Sequence, residues 1–280
     1  MKVSSRKLTR EEMAAMSPKD FREMVRRREW QPDETLTEYY CRGYTQHAVD
    51  IIPVDYALEF LTFCLRNPRA CYVDDICDVG SPHPPFLVPD ADVRTDCHQY
   101  RVYKDGVLVD EPTDIMKYWR DDLVAFLLNC SMGFEGVLRE KHVNFRTMGA
   151  FTSNIHCVPA GRFKSDNMIV STRLFASSLD AVRAIQITSQ LSVSHGYPIH
   201  IGDPSEIGID LMHPDIWNPY ATDAPIPPQQ PNEICMSWAC GVTPEYAIRV
   251  AKPPLAITHR PGSMFISDRR TEEFHSSFTT

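Results

Sequence analysis

Four side chains able to move protons stand where short apolar runs end: His200 and Asp203 in HIGDP, Cys240 in WACGVTPE and His259 in ITHRPG. An imidazole titrates near neutral pH, and a neighbouring carboxyl can take or return the proton. His200 with Asp203 is therefore the leading catalytic acid–base pair, with His259 as a further such group. Each also has a plainer reading. His200 alternates with Ile199 and Ile201 as a buried, hydrogen-bonded strand histidine would, and Asp203 before Pro204 suits a turn. Glu135 lies in an apolar run. A carboxylate buried there is either a general acid with a raised pKa or the partner of a buried arginine.

Cys240-Gly241-Val242-Thr243 leads into Pro244-Glu245, which reads as a helix start. A thiol at that point is acidified by the helix dipole and could act covalently. More simply, Gly241 lets the backbone approach a carboxylate, Thr243 caps the helix, and free N–H groups receive an anion. Arg162 and Arg173 are the candidate carboxylate clamps, since guanidinium pairs carboxylate bidentately, although either could instead pin a structural acid. Asn154 could donate to an oxyanion or satisfy strand-end carbonyls. Ser131, between Cys130 and Glu135, completes the substrate-binding set. These residue types point to a small carboxylic or amino acid as ligand.

The elements that must position these groups form a repeated pattern. In 47–80, 168–204 and 234–262 an apolar run ends in a turn, a helix follows, and a second apolar run ends in Asp or His beside Gly or Pro. Strand–helix–strand units build α/β sheets that bind ligands at strand ends. Between the units, QYRVYKDGVLVDE alternates around Asp105-Gly106 and predicts a hairpin. The spacing of Trp119, Leu123, Phe126, Leu127, Phe134 and Leu138 predicts a helix over 115–139. Ser17-Pro18 with Asp20 predicts an N-terminal capped helix. Proline-rich connections lie at 81–96 and 213–232.

Composition bounds the class. The 280 residues are 43% hydrophobic and 24% charged, an ordinary globular balance, with a net charge of −8 that disfavours nucleic acid or an anionic membrane as partner. No apolar stretch reaches the length of a membrane span. The first thirty residues lack a secretory apolar core and carry acids that transit peptides avoid, so a cytoplasmic protein is expected rather than one of the mitochondrial matrix. Nine scattered cysteines contain no Cys-x-x-Cys pair, which predicts reduced thiols and no metal site. No nucleotide or zinc fingerprint occurs, so no cofactor is expected. A homo-oligomer stays open.

The segments GYTQHAVDIIP, FLTFCLRNP, DVRTDCHQYRVYKDG, SNIHCVPAGRF, RAIQITSQ, HGYPIHIGDP, WACGVTPE and AKPPLAITHRPG, in this order, resemble the D-glutamate cyclase-like family, also known as hydro-lyases, over about residues 40 to 270. The resemblance implies a two-part α/β architecture: a three-layer α/β/α domain (1–145 plus 233–280) with a smaller α/β sandwich inserted at 146–232. It also implies loss of water from D-glutamate to give 5-oxo-D-proline. The chain departs from the family pattern at Thr152, where a cation is usual, and at Ser263, where His is usual. Two alternatives follow: a hydro-lyase acting on another small hydroxy or amino acid, or a homologue that binds a small acid without converting it.

Overall fold

A computed structural model describes residues 8–29, 36–191, 194–219 and 226–274. In chain order, α1 (Arg10–Ala15) and α2 (Pro18–Arg26) precede β1 (Tyr44–Pro53), α3 (Val54–Arg66), α4 (Pro68–Cys71) and β2 (Val73–Ile76). The hairpin of β3 (Tyr100–Lys104) and β4 (Val107–Asp110) leads to β5 (Leu123–Leu128), α5 (Met132–Glu140), β6 (Phe145–Thr152) and β7 (Ile169–Phe175). Then come α6 (Ser178–Thr188), β8 (His200–Ile201), β9 (Ile234–Ala239), α7 (Thr243–Ala251), β10 (Ala256–His259) and β11 (Phe265–Arg270).

The strands form two sheets, giving the expected two-part α/β architecture. The larger runs β2-β5-β1-β10-β3-β4 with β11 also on β1, and the smaller runs β6-β7-β9-β8. Every neighbouring pair is antiparallel. The strand–helix–strand units are real but split. β1 and β2 run parallel with β5 between them, and β7 and β8 run parallel with β9 between them. The third unit differs: β9 lies in the small sheet and β10 in the large one, so α7 crosses between sheets. A second crossing runs from β5 through α5 to β6. The small sheet extends past the 146–232 span, because β9 is one of its inner strands.

β1 and β5 are buried on both faces. Ala48, Ile52, Val124, Phe126 and Leu128 pack under Phe60 and Phe63 of α3. Val49, Ile51, Leu123, Ala125 and Leu127 pack against Leu87, Val88 and Val93 of the proline-rich connection. A strand apolar on both faces shows no alternation. That is why the helix expected over 115–139 is instead a short turn at Met116–Tyr118, the strand β5 and the helix α5. In the small sheet, α5 and α6 cover one face through Phe134, Leu138, Ala181 and Ala184.

Local signals held where their chemistry is short-ranged. Asp105 and Gly106 both take positive φ, 49° and 81°, as a two-residue hairpin turn demands. Ser17 accepts from the Asp20 N–H at 3.1 Å with Pro18 at the start of α2. No described helix is long and apolar enough to cross a membrane.

Candidate active site

The two crossing helices start at one cavity. It holds about 600 Å3 of open space and is lined by Cys130, Ser131 and Met132 at the start of α5, and by Cys240, Gly241 and Val242 at the start of α7. Ser171 and Arg173 of β7, His259 at the end of β10, His195, and Glu38 of the Thr37–Tyr39 turn complete the polar wall. Side-chain caps close α1, α2 and α6, whereas α3, α4, α5 and α7 start without one, and of these α5 and α7 start at the cavity. Helix first-turn N–H groups have no intrahelical acceptor. Two such ends, each carrying the positive pole of a nine-residue helix, face the cavity, with their leading N–H groups held by weak local acceptors: Gly133 on the Cys130 carbonyl at 3.3 Å and Thr243 on the Cys240 carbonyl at 3.0 Å.

The two starts are alike in sequence and geometry. Cys130 Sγ accepts from the Met132 N–H at 3.4 Å, and Cys240 Sγ accepts from Val242 in the same way. Burial nevertheless pushes both thiols up, so they stand as S–H groups. This corrects the expectation of an acidified Cys240, because desolvation outweighs the dipole. Gly241 is needed for close approach, since a Cβ there would lie 2.8 Å from the Asn129 carbonyl oxygen.

Thr243 is not a cap. Its hydroxyl donates to the Cys240 carbonyl at 2.8 Å and accepts from the Ile169 N–H at 3.1 Å, tying the start of α7 to β7.

The charged floor is an ion pair. Arg173, 1% exposed, donates Nε to Glu135 Oε1 at 2.9 Å, Nη1 to Ser171 Oγ at 2.8 Å and Nη2 to Ser131 Oγ at 3.1 Å, with a second contact from Nη2 to Glu135. Arg139 reaches Glu135 Oε2 at 3.2 Å. Burial raises the Glu135 carboxyl, but the Arg173 and Arg139 charges outweigh it and hold it below its ordinary value. The general-acid reading of Glu135 therefore gives way to the ion pair: Arg173 serves Glu135, and Ser131 serves Arg173, before any ligand.

Two neutral imidazoles face the same space. His259 Nδ1 lies 3.2 Å from the Val49 N–H and 3.4 Å from the Val49 carbonyl. The shorter contact has Nδ1 accepting, which places the hydrogen on Nε2. His195 Nδ1 lies 2.8 Å from both the Arg69 carbonyl and the Asn129 side-chain amide nitrogen, which anchor the ring at that atom, and Nε2 is buried without a partner. Burial pushes His259 down to about 4 and His195 down to about 3.

Thr243 is not on the cavity wall, and four further expected site residues lie elsewhere. His200 Nε2 is 2.8 Å from the Asp203 carbonyl, and the Asp203 carboxylate accepts from Ser205 N–H and hydroxyl at 2.9 and 2.7 Å, making a turn cap. Neither lines the cavity, because β8 is the edge strand of the small sheet. Arg162 pairs with Glu59 at 2.9 Å on the surface and stacks on Tyr56, and exposed Asn154 bonds the Ile207 carbonyl through its N–H. Thr152 and Ser263, where the chain departs from the family pattern, are also off the cavity wall. The Thr152 N–H bonds Asp215, and Ser263 bonds His98.

Glu38 and His195 line the cavity without standing among the candidates read from the sequence. His195-Gly196 makes a turn, with φ of 70° at His195 and 63° at Gly196. Nothing periodic marks Glu38; it reaches the cavity through tertiary packing alone. Among the described residues no cluster of three His, Cys, Asp or Glu side chains is placed to hold a metal ion.

This arrangement, an anion-ready cavity at the crossing of two α/β layers, can be set beside known proteins. The D-glutamate cyclase family profile matches residues 124–268. A protein of Geobacillus kaustophilus is 42% identical over 93% of this chain and 97% of its own length. One of Rhizobium johnstonii is 43% identical over 93% and 95%. Both carry the name "putative hydro-lyase". The chain belongs to the D-glutamate cyclase family. Among solved structures, a nitrogen repressor-like protein of Methanococcus jannaschii aligns over 80% of this chain and 88% of that one at 8% identity, with a TM-score of 0.38, too slight a likeness to argue from.

Proposed function

We propose that the protein is a hydro-lyase that removes water from a small acidic amino acid, with D-glutamate closing to 5-oxo-D-proline as the reaction. The observation that carries this reading is the meeting of two uncapped helix starts and two neutral imidazoles at one cavity. In the cyclisation, the amine nitrogen bonds to the side-chain carboxyl carbon and a carbon–oxygen bond breaks. Two protons leave the nitrogen, two arrive on the departing oxygen, and water leaves. The positive ends of α5 and α7 suit the substrate's α-carboxylate, a stronger acceptor for the Met132 and Val242 N–H groups than the thiol sulfurs they now meet. His259 Nε2–H suits the oxyanion of the tetrahedral intermediate, where preorganised donors count most. His195 Nε2, unpartnered at the cavity, suits a hydrogen bond with the attacking amine. Folding the substrate onto itself supplies much of the rest, since proximity can offset roughly 7–11 kcal/mol of barrier.

Thr152 and Ser263 are not among the residues that line this cavity, which supports the family substrate over a different acid. Purified protein incubated with D-glutamate should accumulate 5-oxo-D-proline by chiral chromatography, and L-glutamate should not be converted. Absence of product between pH 6 and 9 overturns the substrate assignment.

A further inference from the structure

Glu38 stands on the wall between two openings. It lines the reaction cavity and also a second, polar pocket of about 730 Å3 whose wall includes Arg10, Tyr39, Arg42, Tyr44 and Gln46. Its carboxyl shares a hydrogen bond with Glu135. Two adjacent carboxyl groups cannot both ionise freely, so their surroundings decide which holds the proton. Glu135 has Arg173 on one oxygen and Arg139 at 3.2 Å on the other. Glu38 has the neutral Tyr39 side chain and the far edge of Arg139, at 4.0 Å, and its side chain is 12% exposed. The shared proton therefore belongs to Glu38, while Glu135 stays ionised.

Resting on the cyclase reading above, we propose that Glu38 is the proton carrier of the reaction: its carboxylate takes a proton from the substrate's ammonium nitrogen and its carboxylic acid returns that proton to the departing oxygen. The proton count is unchanged over the cycle. The second proton of the nitrogen passes by the same route or directly within the tetrahedral intermediate, so no co-reactant is needed. A group of this kind must titrate near the working pH, and burial beside the Glu135 charge pushes the Glu38 carboxyl up to about 7. The second pocket matters because it opens the same carboxyl to water, so the resting protonation can be reset without opening the reaction cavity.

The groups facing Glu38 support this assignment. Glu135 and Arg139 of α5 lie beside it, with Arg173 of β7 behind Glu135. On its own turn, Tyr39 bonds it and carries Arg10 of α1 stacked 3.3 Å from the ring centroid. Across the cavity, His195 and His259 are neutral. Tyr39 and Arg139 lower the carboxyl only partly, because burial and Glu135 outweigh them.

The test is E38Q, assayed with D-glutamate across pH 5.5–8.5. Wild-type kcat/KM should climb with pH through about 7, as the carboxylate form appears. E38Q should lose that limb and lower kcat on the order of 10²–10⁴-fold with little change in KM, and E38D should restore part of the rate. An E38Q enzyme with wild-type kcat and pH profile, or one changed in KM alone, overturns the proposal. Carboxyl-labelled glutamate NMR of the wild type, with Glu38 assigned by E38D, decides independently of turnover. Glu38 should titrate between pH 6 and 8 while Glu135 stays ionised, and the reverse order overturns the assignment. If wild type shows this titration yet leaves D-glutamate unconverted, the substrate reading fails and the carboxyl pair stands.

Discussion

Two strand ends in this molecule carry the same kind of sequence and meet different fates. β9 ends in Cys240-Gly241 and β8 ends in the HIGDP turn with His200 and Asp203. Both offer chemistry-bearing side chains beside glycine and proline. β9 is an inner strand whose following helix crosses to the other sheet, so its end becomes a cavity wall. β8 is a two-residue edge strand whose polar side chains satisfy one another in a local turn. Residue type at a strand end says what could happen there. Topology decides whether a ligand can reach it.

That contrast can be broken at the cavity first. Arg173→Met removes the buried partner of Glu135 and leaves it only the half-exposed Arg139, so denaturant unfolding should show a loss of about 3–5 kcal/mol. An unchanged midpoint would mean the floor is not held by this pair. Next, Gly241→Ala places a Cβ 2.8 Å from a backbone oxygen that cannot swing aside. It should cost about 1–3 kcal/mol and depress activity, where the same change on an exposed loop would be near neutral.

The pH dependence sharpens the comparison further. His195 is pushed down to about 3 in the fold, below its ordinary value. Below about pH 6.5 the unfolded chain takes up a proton that the folded chain refuses, so acid favours unfolding. Between pH 7 and 5, wild type should therefore lose on the order of 1–2 kcal/mol relative to His195→Gln. Parallel stability curves for the two proteins would contradict the buried, neutral state. The smallest effects belong to the edge strand. Asp203→Asn still caps its turn and His200→Gln touches no ligand, so turnover of each should stay within about twofold of wild type. A hundredfold loss at either residue would return the HIGDP turn to the site.

Much of the fold was legible because its cues are local: the Asp105-Gly106 hairpin, the Ser17-Pro18 helix start, and β7 followed by α6. The strand β5 was not, because burial on both faces erases the alternation that marks a strand. Of the site residues, Cys240, Gly241, His259, Glu135, Arg173 and Ser131 were recognised and do converge, although Glu135 and Arg173 satisfy each other. His200, Asp203, Arg162 and Asn154 were misplaced, because an edge strand and a surface ion pair look the same in sequence as a site. Glu38 lay in a segment with no motif of its own, and only the packing of its turn against α5 brings it to Glu135.

The central claim is that the starts of α5 and α7 form one anion site. A crystal structure of the protein with 5-oxo-D-proline tests it most directly. The product carboxylate should lie within hydrogen-bond distance of the N–H groups of Met132 or Val242, replacing the Cys130 or Cys240 sulfur as acceptor, with the lactam facing His259. Product bound at the HIGDP turn, or a cavity whose helix starts touch only protein, would contradict it.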